Sequence, residues 1–322
     1  MTTKNSKRIV VLASGGDAPG MNACLEAIFR EGTRLGYNLL GAIGGYDGLV
    51  LERFIQLTPA NATGIARETG CVLHTSRSEA FMTEEGLKKA INNLNKHRVS
   101  AVVILGGNGS LKGAYDRLDI NGVPVIGIPS TIDNDVFFTQ NSLGFSSACE
   151  ESVRLVDNLT GTMQTSGMDH VVKMMGRHCS NLADFVGATV FADIIDTEDN
   201  RHTSTQVANI FAANRKAGKI SSMMIKQEKK CQTPITEAVI TLKFLEDLKD
   251  AGGQSNVRLT TLGHLQRGAP PSARDRWLGV NYGKKAIEQI EANQTGVAIG
   301  LVGDFFVAVP ISKANSMNKK TK

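Results

Sequence analysis

Residues 8–36, RIVVLASGGDAPGMNACLEAIFREGTRLG, decide the fold. Arg8–Ser14 is a short, β-branched apolar run that stops at Gly15-Gly16, and from Met21 to Gly36 the apolar residues recur at helical spacing. The reading is a strand, a glycine turn and a helix. The same order recurs downstream: Asn38–Ile43 reads as a strand, Glu85–Lys96 as a helix, Ala101–Leu105 as a buried strand ending at Gly106-Gly107, and Val125–Ile128 as a strand stopped by Pro129. Parallel strands need crossover connections, so this alternation predicts an α/β fold with a parallel sheet and helices on both faces. Ligands of such sheets bind at the carboxyl ends of strands. Three polar loops fall there: Ser14–Asn22, Gly106–Ser110 and Pro129–Asp135.

Beyond Phe145 a second αβ stretch begins. A helix over Ala148–Thr160 leads to a strand at His170–Met174, a helix at Asn181–Gly187, a strand at Val190–Ile195 and a helix at Thr203–Lys216. A strand at Met223–Lys226, a helix at Ile235–Ala251 and a strand at Val257–Leu262 follow. Helix Asp275–Ala292 and strand Val297–Val302 return to the character of the first lobe. A chain of 322 residues suits two lobes of ordinary size. The expected division gives 1–143 and 266–307 to one lobe, and 144–265 and 308–322 to the other.

The composition, 41% hydrophobic and 21% charged with 5% aromatic, is globular, with a core resting on aliphatic side chains. The net charge of +5 is carried partly by Lys7, Arg8, Lys319, Lys320 and Lys322 at the ends. Aromatic residues are not interleaved with basic ones, so no single-strand stacking platform and no nucleic-acid partner is expected; a small anionic substrate suits the balance. Five cysteines lie far apart without a CxxC pair, which points to reduced thiols. The start MTTKNSKR is not a signal peptide and no apolar run has membrane-span length, so a cytoplasmic protein with no membrane partner is expected.

In Ser14–Asn22 the glycines leave backbone amides uncovered just before a helix whose dipole favours an anion. No GK[ST] follows, so the loop is not Walker A. Gly106-Gly107-Asn108-Gly109-Ser110 repeats this at a second strand end, and two anion cradles on one sheet edge suit a polyphosphate. Pro129–Asp135 adds two carboxylates, Asp133 and Asp135, and the Thr131 hydroxyl. A carboxylate there can accept a proton from an attacking hydroxyl or hold a magnesium ion. Alone, each loop is as well read as an ordinary turn.

GGDAPGMN (15–22), GGNGS (106–110), TIDND (131–135), MGR (175–177) and LGHLQRG (262–268) stand in the order and spacing of the 6-phosphofructokinases, which the chain resembles from about Arg8 to Val309. The resemblance implies a two-lobed, phosphofructokinase-like fold, one lobe binding nucleotide and the other sugar phosphate, and an ATP-dependent transfer to fructose 6-phosphate with Mg2+, in glycolysis. Residue by residue, it makes Asp133 the base for the sugar 1-hydroxyl, with Thr131 and Asp135 beside it. Arg77 and Arg177 neutralise the transferred group, and Gly16 offers its amide to the γ-phosphate. Gly107, Asn108, Gly109 and Ser110 match nucleotide contacts, and Met175 and Gly176 line the sugar. His264 and Arg267 grip the 6-phosphate, and Arg258 matches an arginine lent by a neighbouring subunit. A homotetramer or homodimer, or a mixture with a paralogue, is therefore implied.

The departures bear on these roles. Asn108 stands where the family has the aspartate that helps bind magnesium, so weaker metal binding is expected. Met168 stands where a second substrate arginine belongs. The acidic sugar-binding position aligns with either Gln227 or Glu228. Two effector arginines align with Glu26 and Thr160, leaving Arg30. No final helix is expected beyond Val309. Gly109 favours ATP, and Ser130 lacks the lysine of the pyrophosphate-dependent group. Two rival readings stay open: a catalytically weak paralogue acting as a regulatory or structural subunit, and a pyrophosphate-dependent enzyme.

Overall fold

The computed structural model describes residues 7–229, 234–250 and 257–319. Its strands are β1 (Arg8–Ser14), β2 (Asn38–Ala42), β3 (Phe54–Gln56), β4 (Val99–Gly106), β5 (Val125–Thr131), β6 (Leu143–Gly144), β7 (His170–Met174), β8 (Ile194–Asp196), β9 (Met223–Gln227), β10 (Arg258–Thr261), β11 (Val297–Val302) and β12 (Phe305–Pro310). Its α-helices are α1 (Met21–Arg34), α2 (Tyr46–Val50), α3 (Pro59–Ala62), α4 (Glu79–Met82), α5 (Glu84–Lys96), α6 (Asn108–Gly113), α7 (Phe145–Ser166), α8 (Asn181–Thr189), α9 (Ser204–Lys216), α10 (Pro234–Asp250), α11 (Ala273–Glu291) and α12 (Ile311–Lys319). Of the expected positions, Ala251, Lys320 and Lys322 lie outside the described residues.

The chain forms two compact units, one of residues up to Ser147 together with those from Arg267 onward, the other Ala148–Gln266. In the first, the strand order is β12-β11-β5-β4-β1-β2-β3, with β6 against β5. The central pairs β2–β1, β1–β4, β4–β5 and β5–β11 are parallel, and β3 and β12 close the edges antiparallel. Ile9, Val10, Val11 and Leu12, which alternate between the two faces of β1, are all fully buried, as an interior sheet covered on both faces requires. Helices α1 and α11 approach so closely that a methyl group on Gly279 would fall 2.9 Å from Cys24 N, and one on Gly283 2.8 Å from Ala27 Cβ. The second unit has a wholly parallel sheet, β10-β7-β9-β8, over a core of Val171, Met224, Val207, Phe211 and Leu248.

Three expectations are corrected. Residues 308–322 are expected in the second lobe, but β12 pairs with β11 from Val302↔Phe305 to Val297↔Pro310, and the described part of the segment, to Lys319, belongs to the first unit. The two-residue turn Gly303-Asp304, with Gly303 at φ 61, makes this hairpin. Second, the chain past Val309 is helical: α12 is seated by the buried Ile311 and Ala314. Third, the strand expected over Val190–Ile195 is confined to Ile194–Asp196, because Val190 caps α8 and Phe191 takes a left-handed φ of 53.

Asp275 secures the entry to α7. It is fully buried in the first turn of α11 and accepts hydrogen bonds from Gly144 N (2.9 Å), Ser147 N (2.7 Å) and Ser147 Oγ (2.5 Å). Asp275→Ala leaves those donors without their acceptor, each a desolvation cost. Chemical denaturation should show a loss of about 2–4 kcal/mol; an unchanged midpoint would show that water replaces the carboxylate.

Candidate active site

Parallel pairing sets β1, β4 and β5 in register, with Ser14 opposite Gly106 and Gly106 opposite Pro129, so the three polar loops leave one edge of one sheet. The first two are locked together. Ser110 Oγ donates to Ser14 O at 3.0 Å, and a methyl group on Gly106 would fall 2.5 Å from Ser110 Cβ and 2.7 Å from Ser14 O. Gly15 N donates to Ser76 O at 3.2 Å, which ties the residue before Arg77 to the first loop; Arg77 itself is exposed. Gly16 is exposed with its α-carbon under the Arg267 guanidinium, since a methyl group there would lie 2.4 Å from Arg267 Nη1. That guanidinium donates to Asp17 O at 2.9 Å. Arg267 thus lies on the first glycine loop.

The third loop meets the second. A methyl group on Gly107 would stand 3.4 Å from Thr131 Cβ, and Asn108 Nδ2 donates to Asp135 O at 3.0 Å. Thr131 is buried, and its Oγ1 accepts from Asp133 N at 3.2 Å. Asn134, at φ 49, accepts from Ser142 N at 2.7 Å, and Ser142 Oγ donates to Thr131 O at 2.7 Å. These bonds fix the turn and leave Asp133 and Asp135 half-buried at the sheet edge. Of the predicted residues, the first unit therefore brings together Gly16, Gly107, Asn108, Gly109, Ser110, Thr131, Asp133, Asp135 and Arg267.

A cavity of about 460 Å³ adjoins the first loop, lined in part by Asp17, Cys71, His74 and Thr75. Burial raises the Cys71 thiol to about 11, and the Asp17 charge pushes the same way. The thiol therefore stays protonated at neutral pH and is no nucleophile. The fit of a magnesium ion rests on Asn108, whose Oδ1 is a buried acceptor without a hydrogen-bond partner. Among the described residues no cluster of three or more His, Cys, Asp or Glu could hold a metal. This donor set suits a cation that arrives with phosphate and water oxygens as most of its ligands.

In the second unit the MGR loop is held by two buried glutamines. Gln266 Oε1 accepts from Met175 N at 2.8 Å and its Nε2 donates to Ser152 Oγ at 2.9 Å. Gln227 Nε2 donates to Gly176 O, and its Oε1 accepts from Glu198 N at 2.7 Å. Gly176 sits at φ 117 with Cys179 O 2.5 Å from where a methyl group would be, so only glycine fits. Arg177 and His264 are exposed. Arg258 is exposed too, with its Nε 3.5 Å from Met168 Sδ, so the position lacking the expected arginine lies beside the arginine that remains. Gln227 is committed to backbone, which leaves Glu228, half-buried at the end of β9, as the acidic residue of the ambiguous pair with an uncommitted place. Sequence reasoning missed Gln266 and Gln227 as loop supports; polar residues inside an apolar or motif run were their only signal.

With that geometry in place, comparison with known proteins is direct. The family profile described as Phosphofructokinase matches residues 8–290. A protein of Thermotoga neapolitana named ATP-dependent 6-phosphofructokinase is 36% identical over 313 residues, covering 97% of this chain and 95% of its own. One of the same name from Streptococcus suis is 36% identical over 306 residues, covering 95% and 88%. Phosphofructokinase from Saccharomyces cerevisiae superposes with a TM-score of 0.85 at 28% identity over 98% of this chain, which spans 46% of the yeast chain. A pyrophosphate-dependent phosphofructokinase from Marinobacter aquaeolei, 18% identical over 96% of this chain and 83% of its own, shares the fold with a TM-score of 0.84. The chain belongs to the phosphofructokinase family.

Gln266→Met removes both bonds of its amide at nearly constant volume. Hydrogen exchange at the Met175 amide should quicken while the β7 amides, paired to β9 and β10, stay protected. Unaltered exchange at Met175 would mean that Gln266 does not hold the loop.

Proposed function

We propose that the chain transfers the γ-phosphoryl group of ATP to the 1-hydroxyl of fructose 6-phosphate, giving fructose 1,6-bisphosphate and ADP. The observation that carries this reading is the run of contacts joining GGDAPG, GGNGS and TIDND at one sheet edge, Ser14 to Ser110, Gly107 to Thr131 and Asn108 to Asp135. The similarity to the Thermotoga and Streptococcus relatives supports ATP as donor.

Phosphoryl transfer asks mainly for positioning and charge neutralisation. The backbone amides of Gly16 and of Gly107–Ser110 hold the polyphosphate. Asp133 takes the proton of the attacking hydroxyl, and the Thr131 hydroxyl lies beside the transferred group. Arg77 and Arg177 neutralise the charge that grows on the equatorial oxygens. Met175 and Gly176 line the sugar, His264 binds its 6-phosphate, and Arg267, resting on the first loop, is drawn off Asp17 O by a phosphate. Magnesium, when bound, would neutralise charge on the phosphates; Asn108 Oδ1 would hold it together with phosphate and water oxygens.

A coupled assay comparing ATP with pyrophosphate tests the reading. ATP with magnesium should support turnover and pyrophosphate should not; the reverse would replace the donor, and silence with both would favour a regulatory subunit. Asp133→Ser should lower kcat by about 10²–10⁴ with KM for the sugar phosphate little changed, because a general base acts mainly in the transition state. Equal kcat in the two proteins would remove Asp133 from the role.

The place of Arg258 supports an oligomer of two-fold symmetry, in which this arginine completes the 6-phosphate site of a neighbouring subunit. Charge-assisted contacts of this kind contribute about 1.5–3 kcal/mol, so Arg258→Ala should raise the sugar-phosphate KM about ten-fold or more. A fully active monomer in light scattering would contradict the shared site.

A further inference from the structure

Residues 76–78 read Ser-Arg-Ser between the left-handed His74, at φ 53, and helix α4. Ser78 is extended, at φ −99 and ψ 106. In extended backbone successive side chains leave on opposite sides, so two serines two positions apart share one side and the residue between them takes the other. Both serine hydroxyls meet one carboxylate. Ser76 Oγ donates to Asp47 Oδ2 at 3.1 Å and Ser78 Oγ donates to Asp47 Oδ1. Ser76 Oγ shares its one proton between Asp47 Oδ2 and the nearer Gly44 O, at 2.7 Å, and Ser78 Oγ accepts from Phe81 N at 3.0 Å. Asp47 therefore grips the chain on both flanks of Arg77.

Asp47 is itself firmly placed. The turn before it, Gly44-Gly45, lies on the end of β1: a methyl group on Gly45, at φ 64, would fall 2.6 Å from Ala13 O, and Gly44 N donates to Leu73 O at 2.8 Å. Its neighbour Tyr46 is buried, stacks on Phe81 with ring centroids 4.2 Å apart, and donates its hydroxyl to Ser110 O at 2.7 Å. Two consecutive residues at the start of α2 thus reach the second glycine loop and both flanks of Arg77. Because Gly15 N is bonded to Ser76 O, the first glycine loop is tied to the same frame.

A carboxylate near an arginine ordinarily pairs with it. Here both oxygens of Asp47 accept from hydroxyls, and Arg77 is exposed and without an ion pair among the described residues. We propose that Asp47 is a positioning residue for phosphoryl transfer: through Ser76 and Ser78 it aims Arg77 at the anion held by the glycine loops while leaving the guanidinium charge uncompensated. The proposal rests on the reading of Arg77 as the arginine that meets the transferred group.

Three variants of the full chain test it. Asp47→Ala deletes both contacts. Asp47→Asn keeps them, since its oxygen accepts from one serine and its amide donates to the other, so the geometry survives without the charge. Ser76→Ala combined with Ser78→Ala deletes the contacts and keeps the carboxylate. Asp47→Ala and the double serine variant should each lose about ten-fold in kcat with ATP and fructose 6-phosphate, with both KM values held within about two-fold. Asp47→Asn should stay within about three-fold of the unmodified protein. In parallel, hydrogen exchange at the Gly15 amide should quicken in Asp47→Ala and in the double serine variant and not in Asp47→Asn. Unchanged kcat and Gly15 exchange in Asp47→Ala would overturn the proposal, as would an Asp47→Asn variant as impaired as Asp47→Ala, since charge rather than aim would then be the cause. If the unmodified protein fails to phosphorylate fructose 6-phosphate, the functional reading falls, and the exchange measurements still decide whether Asp47 holds the Arg77 segment.

Discussion

The close approach of β1 and β4 at their carboxyl ends is the constraint on which the rest of the first unit depends. Ser14 and Gly106 are paired across the sheet, Ser110 folds back to donate to Ser14 O, and nothing larger than hydrogen fits on Gly106. Two chain segments about ninety residues apart must therefore turn away from the sheet together. One such turn is an ordinary βα connection; two locked side by side form a concave row of amides suited to more than one phosphate. Thr131 packs on Gly107 and Asn108 reaches Asp135 O, so the acidic loop inherits its position from the same junction.

Within each unit the protein uses polar side chains as rivets. Asp275 holds the entry to α7, Ser142 and Asn134 close the acidic turn, and Gln266 and Gln227 hold the MGR loop in the second unit. All but the half-buried Asn134 are buried, and each ends on backbone amides or carbonyls, where an unmet partner would cost more than the bond contributes. Exposed arginines, Arg77 in the first unit and Arg177 in the second, are then mounted on backbone that is already fixed. A loop that binds anions by charge gains from such prior ordering, because less freedom is lost when a ligand arrives.

The sequence made the central sheet legible because β-branched runs end in glycine pairs there, and β1, β4 and β5 with their loops stand where that pattern put them. Local pattern failed where long-range packing overrode it. Gly161 reads as the stop of a helix, yet α7 runs through it to Ser166 and ends at Gly167, at φ 64. α2 is only five residues long, below what periodicity can detect, although Gly44-Gly45 marked the turn before it. The return of β12 to β11 across Gly303-Asp304 is a pairing that the period of neither strand reveals. At the site, residue types carried the phosphate loops and carboxylates, whereas Tyr46, Asp47, Ser76, Ser78 and the two glutamines act through partners distant in sequence and leave no local trace.

The central claim is that the two glycine loops form one anion site. It is tested most directly by following backbone amide resonances while a non-hydrolysable ATP analogue with magnesium is titrated into the protein. Gly16 and the Gly107–Ser110 amides should shift along a single binding isotherm, and Gly106→Ala should abolish both sets of shifts together. Shifts confined to one loop, or two loops saturating at different analogue concentrations, would contradict the account.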